Sequence, residues 1–245
     1  MMSPPPISAE PSPILGLEEV DAGYRGRTVI QRITLEVRPG EITAIVGHNG
    51  AGKSTLFNAI FGLIPLQRGQ LRIDGQIIVR VTPERMLSQG IALLPQGQRV
   101  FSHLTVRENL EVCCTANETS TRRTALQRIL NSFPSLEPLL PRRAGSLSGG
   151  YRQMLALASA LIQFPRLLLL DEPSLGLQEA RIDVCFNQLR ELAASEHVAM
   201  LIIEHRVKKV LSIADRIIAL RRGEITLASH VAALAGLDPL RSAYL

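Results

Sequence analysis

The sequence predicts an α/β fold: a mostly parallel sheet covered on both faces, an antiparallel layer preceding it, and a small helical subdomain inserted into it. Three observations point there. The main apolar runs are continuous rather than alternating, as strands buried on both faces require. Helix-like segments separate those runs, which is the βα alternation of a parallel sheet. Between Thr105 and Ala144 the pattern turns helical, with no strand in it. The 245 residues suffice to bury a sizeable core, as one domain or a domain with a small subdomain. Hydrophobic residues at 46% and charged residues at 20% exclude a disordered or fibrous chain beyond the N-terminal end.

In chain order, Met1 to Pro13 holds five prolines and reads as a disordered tail, ahead of one domain over 14–245. Ile14 to Val20 and Ile33 to Val37 read as strands of the antiparallel layer. Glu41 to Gly47 is an apolar strand entering a Gly-rich turn, and a helix follows from about Lys53 to Phe61. Ile91 to Pro95, Leu167 to Leu170 and Val198 to Ile203 are further buried strands, with helices expected at Gly149 to Ile162 and Glu179 to Ala194. The helical subdomain is expected over about 105–160. Arg216 to Thr226 reads as a hairpin, with a helix near His230 to Ala235.

Composition narrows the function classes. No stretch approaches the roughly 18 uninterrupted apolar residues of a membrane span. The N-terminus lacks the basic start and apolar core of a signal peptide. A membrane role is therefore expected to run through a partner. Cys113, Cys114 and Cys185 form neither a disulfide framework nor zinc spacing and read as reduced thiols. The net charge of +5 and pI near 9.6 would permit nucleic-acid binding, but the basic residues are scattered in short pairs. Scattered charge fits a solvated surface or one facing anionic lipid better than a nucleic-acid groove. Lysine takes only three of the 27 basic positions, Lys53, Lys208 and Lys209. A compact ammonium is thus singled out at position 53, where a planar guanidinium would not fit.

Lys53 lies in Gly47-His48-Asn49-Gly50-Ala51-Gly52-Lys53-Ser54-Thr55, which matches the phosphate-binding pattern GxxxxGK[ST] between a strand and a helix. The glycines let backbone N–H groups close around phosphate oxygens, and the helix N-terminus adds partial positive charge. Lys53 would reach the outer phosphates and the Ser54 hydroxyl would bind Mg²⁺. Leu167-Leu168-Leu169-Leu170-Asp171-Glu172 ends a buried strand in two carboxylates, a costly placement without a purpose. Asp171 is read as part of the Mg²⁺ shell and Glu172 as general base or water-positioner. Leu147-Ser148-Gly149-Gly150 opens another helix and offers a second anion site, or an ordinary serine N-cap.

These three motifs, in this order, resemble the ATP-binding cassette family, and the resemblance runs from about Ile14 to Thr226. It implies a P-loop NTPase cassette whose copies pair head to tail, each ATP lying between one phosphate loop and the other subunit's Ser148-Gly149-Gly150 segment. It further implies that Tyr24 stacks on adenine, that Gln96 senses Mg²⁺ and the attacking water, and that His205 contacts the γ-phosphate. The chain departs from many members at Tyr151, where Gln is common, and at Gln178, where Asp is common in a loop linking the two ATP sites.

Longer stretches are similar to the LivF-type ATPase of branched-chain and neutral amino-acid importers. They include Gly90 to Phe101, Leu104 to Leu110, Phe133-Pro134-Ser135-Leu136, Arg143 to Gly150 and Asp171 to Leu177. That likeness implies a second ATPase, two permease subunits and, indirectly, a periplasmic binding protein as partners, with the chain peripheral on the cytoplasmic face of the membrane. Many LivF-type chains carry Glu where this one has Gln96 and Gln where it has His205, which keeps urea or amide importers open. A lipid or lipopolysaccharide exporter ATPase shares the catalytic parts, and a soluble ATPase acting on nucleic acid is the distant alternative. Apolar Val100 and Phe101, after Gln96, are expected either to dock a permease or to pack beneath the helical insert.

Overall fold

The computed structural model describes residues 12–97, 99–114 and 119–234. Most of the expected tail at 1–13 lies outside them. Among the described residues, ten strands form two sheets. β1 (Leu15–Tyr24), β2 (Arg27–Val37), β4 (Leu66–Ile73) and β5 (Gln76–Ile77) make the antiparallel layer, in the order β2-β1-β4-β5. β3 (Ile42–Val46), β6 (Ile91–Leu94), β7 (Leu167–Asp171), β8 (Ala199–Ile203), β9 (Arg216–Arg221) and β10 (Glu224–His230) make the second sheet, ordered β10-β9-β3-β8-β7-β6. Only the β9–β10 hairpin in it is antiparallel. The fold class read from the sequence is the one found.

The continuous apolar runs have a clear cause. Every residue of β3, β7 and β8 is buried. Alternate side chains feed two separate cores: Leu168, Leu170, Met200 and Ile202 face one, and Leu167, Leu169, Leu201 and Ile203 the other. The second core is closed by the antiparallel layer and by α1 (Lys53–Ile60). Truncating a fully buried leucine such as Leu168 to Ala is expected to cost about 2–5 kcal/mol.

The remaining helices are α2 (Pro83–Ser88), α3 (Val106–Cys113), α4 (Thr119–Ser132), α5 (Gly149–Leu161), α6 (Glu179–Glu196) and α7 (Val207–Leu211). α3 and α4, with 3₁₀ turns at Pro134–Leu139 and Ala144–Ser146, fill the stretch between β6 and α5. One isolated bridge, Thr105 to Arg143, closes its neck. α3 begins with a complete capping box: the Thr105 hydroxyl accepts from the Glu108 N–H and the Glu108 carboxylate accepts from the Thr105 N–H. The helix expected near His230 to Ala235 is instead a single 3₁₀ turn, Val231–Ala233, because β10 extends to His230; Ala235 lies outside the described residues.

Sheet order positions the chemistry. β3, β8, β7 and β6 are neighbours and parallel, so their carboxyl ends lie side by side. The registers Ile45–Ile203, Asp171–Ile203 and Leu94–Leu170 bring the Gly47 loop, His205, Asp171-Glu172 and Gln96 to one edge. Ligands of open α/β sheets bind along that edge.

Candidate nucleotide site

Gly47 follows β3 so tightly that a Cβ there would sit 2.3 Å from the Leu220 carbonyl oxygen of β9. At Gly52 the backbone is left-handed (φ 105°), and a Cβ would meet Ile30 at 2.7 Å. Both positions demand glycine. The loop is also held from outside: the Ala51 carbonyl accepts from the Gly223 N–H at 2.9 Å, and the Gly223 carbonyl accepts from the Gln31 N–H at 2.8 Å.

The Lys53 ammonium donates to the carbonyls of Gly47 (2.7 Å) and His48 (3.0 Å), folding the side chain back over its own loop. Its surroundings are buried, and burial lowers its pKa, opposed by the nearby Glu172 and Asp171 carboxylates. The geometry suits a small three-donor head, as the singular lysine at this position suggested.

Asp171 is buried at the end of β7. Burial raises its pKa; a hydrogen bond from Ser54 lowers it, Glu172 raises it, and Lys53 and His205 lower it. Its Oδ1 has no hydrogen-bond partner among the described residues. An orphaned buried carboxylate oxygen beside the Ser54 hydroxyl is an oxygen donor set that suits a hard divalent cation such as Mg²⁺.

Glu172 turns sharply out of the strand with φ 52°, its N–H donating to the Ile203 carbonyl at 2.9 Å. Gln96 Nε2 donates to its Oε2 at 2.8 Å, and His205 Nε2 lies 2.8 Å from its Oε1. A carboxylate only accepts, so this pair requires the proton on His205 Nε2. Three strand ends thus converge on one carboxylate, which keeps lone-pair capacity for a water. Lys53, Ser54, Thr55, Gln96, Glu172 and His205 line a cavity of about 500 Å³, with Asn49, Gly50 and Gly52 also on its wall. His48 and Ala51 face a smaller neighbouring cavity with Arg221 and Arg222.

Residues 30–175 match the family described as ABC transporter. The chain belongs to that family. It is 36% identical over 232 residues to the high-affinity branched-chain amino acid transport ATP-binding protein BraG of Pseudomonas aeruginosa, covering 95% of this chain and 99% of that one. It is 35% identical to the probable branched-chain amino acid transport ATP-binding protein LivF of Archaeoglobus fulgidus, covering 84% and 88%. Among solved structures, an ATP-binding cassette of an ABC transporter in its ADP conformation superposes with TM-score 0.83 at 27% identity, over 94% of this chain and 98% of that one.

Two parts of this ABC ATPase stand apart from the cavity. Ser148, Gly149 and Gly150 do not line it; they open α5, with Ser148 exposed in N-cap geometry yet making no side-chain cap bond. Tyr24, at the end of β1, does not line it either; its hydroxyl accepts from Asn58 Nδ2 of α1 at 2.9 Å, and the residue is 44% exposed. Sequence reasoning passed over two contributors. Glu204, buried, precedes His205 and accepts its N–H. Arg181 of α6 lies over the Tyr151 ring, 5.3 Å from its centroid, and presses on Gly150, whose Cβ would meet Arg181 Cδ at 2.9 Å. Neither carries a local signal, since each acts on a segment far from it in the chain.

Proposed function

We propose that this ABC ATPase powers import of branched-chain or other neutral amino acids, hydrolysing Mg²⁺-ATP in a head-to-tail pair of cassettes. The observation that carries the substrate class is the likeness to BraG across nearly the whole of both chains. In this reading the ATPase domain spans 14–245, with its helical subdomain at about 105–160. The glycine loop and Lys53 hold the phosphates, and Tyr24 meets the adenine. Ser54, Gln96 and Asp171 hold Mg²⁺, which when bound offsets charge on the terminal phosphates. Glu172 orients and deprotonates the attacking water, Gln96 and His205 fix its carboxylate, and Ser148 to Gly150 close on the ATP of the other cassette.

No helix among the described residues is long and apolar enough to cross a membrane. The membrane is reached through a permease, with the ATPase peripheral on the cytoplasmic face and the periplasmic protein engaged indirectly. A groove of about 420 Å³ between β6 and the helical segment supports this. Exposed Leu87, Arg99 and Val112 and half-buried Cys113 line it. Nearby, buried Asn109 pins the Phe101 backbone, accepting its N–H at 2.7 Å, while the residue is left 55% exposed rather than packed beneath the insert. Of the expected docking segment at 98–103, Gln98 lies outside the described residues.

Co-purification from source membranes tests the class. An amino-acid permease is the expected partner; a urea or amide permease, or a lipid-export subunit, overturns it. Phe101→Ala is expected to weaken permease assembly and transport-coupled hydrolysis together, leaving hydrolysis by the isolated ATPase intact. Unchanged assembly would remove Phe101 from the interface.

A further inference from the structure

Glu204 is 3% exposed, yet its carboxylate is fully engaged. Oε2 accepts from the Ser174 hydroxyl at 2.6 Å, and Oε1 accepts from the N–H groups of His205 (2.8 Å) and Arg206 (3.1 Å). A carboxylate withdrawn this far from water persists only with such a set of donors. Ser174, 2% exposed, lies two residues beyond Glu172. The contacts therefore close a ring. It runs from Glu172 through Pro173 to Ser174, across to Glu204, on to His205, and back to Glu172 through the His205 Nε2 contact. The backbone bond from Glu172 N–H to Ile203 O braces it from inside. Neither Glu204 nor Ser174 lines the nucleotide cavity, so neither acts on the substrate directly.

We propose that Glu204 is a positioning residue for hydrolysis: it locks the loop after β7 to the loop after β8, so that His205 meets Glu172 in a working geometry. The inference rests on reading Glu172 and His205 as the hydrolytic pair. Ser174 also opens the Leu175 to Gln178 segment, so a displacement of that segment reaches His205 through the Glu204 carboxylate.

Steady-state and single-turnover ATP hydrolysis by the full chain tests this. Glu204→Ala is expected to lower kcat about tenfold or more with KM for ATP held within about twofold. Glu204→Gln keeps an acceptor oxygen for the two N–H groups and is expected to restore most of the rate. In a His205→Ala background, Glu204→Ala is expected to change the residual rate by less than about twofold, because a residue acting through His205 has nothing left to position. An unchanged kcat in Glu204→Ala, or a full multiplicative loss in the His205→Ala background, overturns the proposal. Should Glu204→Ala fail to fold, Ser174→Ala decides, and an unchanged kcat there overturns it equally. If Glu172→Gln and His205→Ala themselves keep the wild-type rate, the underlying reading of the pair fails instead.

Discussion

Two helix starts in this protein, those of α1 and α5, are glycine-rich, and they are finished to different degrees. At α1 the loop is clamped by neighbouring strands, the ammonium of Lys53 is buried over it, and Gln96, Glu172 and His205 from three strand ends line the same cavity. At α5 the serine has cap geometry but caps nothing; it is exposed, with half-buried Gly149 and Gly150 beside it. α3 shows that this chain can complete a cap when stability is the purpose. In the proposed head-to-tail pair, the bare start of α5 faces the ATP held by the other cassette's phosphate loop. A molecule carrying one furnished half and one open half becomes complete when two copies, or two sister chains, face each other in opposite directions.

The contrast can be broken from either side. The largest effect is expected from the furnished half. Lys53→Ala should abolish tight ATP binding by the isolated chain and lower hydrolysis by on the order of 10²–10³-fold, checked by equilibrium binding and steady-state rates. Lys53→Arg should fail as well, since a planar fork cannot fold back onto the Gly47 and His48 carbonyls. The open half should behave differently. Gly149→Glu places an acid where phosphate would sit, and is expected to leave ATP binding by the single chain within about twofold while hydrolysis falls roughly 10²-fold. A parallel loss of single-chain binding would show that both helix starts serve one site. The smallest effect lies in pH dependence. Burial holds the Asp171 proton to a pH above the ordinary aspartate range, and the Ser54 hydrogen bond opposes it. The carboxylate form, the one proposed to hold Mg²⁺, therefore disappears, as pH falls, sooner than an unperturbed aspartate would lose its charge. Ser54→Ala should move protonation of Asp171 to still higher pH in the Mg²⁺-free chain, read from an NMR titration of its carboxyl group.

What could be read in advance follows from how local each constraint is. The phosphate loop was legible because strand, turn and helix start occupy adjacent residues, and only glycine tolerates the approach of Leu220 at Gly47. The strand ending in Asp171-Glu172 was legible because four leucines run straight into two carboxylates, charges that a buried strand ordinarily excludes. By contrast, β4 reads Leu-Gln-Arg-Gly-Gln-Leu-Arg-Ile, too polar to signal a strand, and forms through its pairing with β1. α2 and α7 are short helices on the way between strands and carry little periodicity. Glu204 looks like the polar end of an apolar strand until Ser174, thirty positions earlier, is seen to share its carboxylate. Arg181 likewise gains meaning only through Gly150 and Tyr151 across α5.

The turn at Arg222-Gly223 carries one more consequence, for how the molecule comes into being. The nucleotide motif is complete in the chain by Thr55, yet its Ala51 carbonyl is tied to Gly223, and β3 gains its neighbour β9 only at Arg216–Arg221. A Cβ at Gly223 would lie 2.0 Å from the Val29 carbonyl, so the turn fits its seat with no slack. Nascent chains leave the ribosome from the N-terminus, and long-range closures of this kind come late. A growing chain therefore displays the motif long before it owns the cradle, and ATP capture becomes a report that synthesis has passed the β9–β10 hairpin.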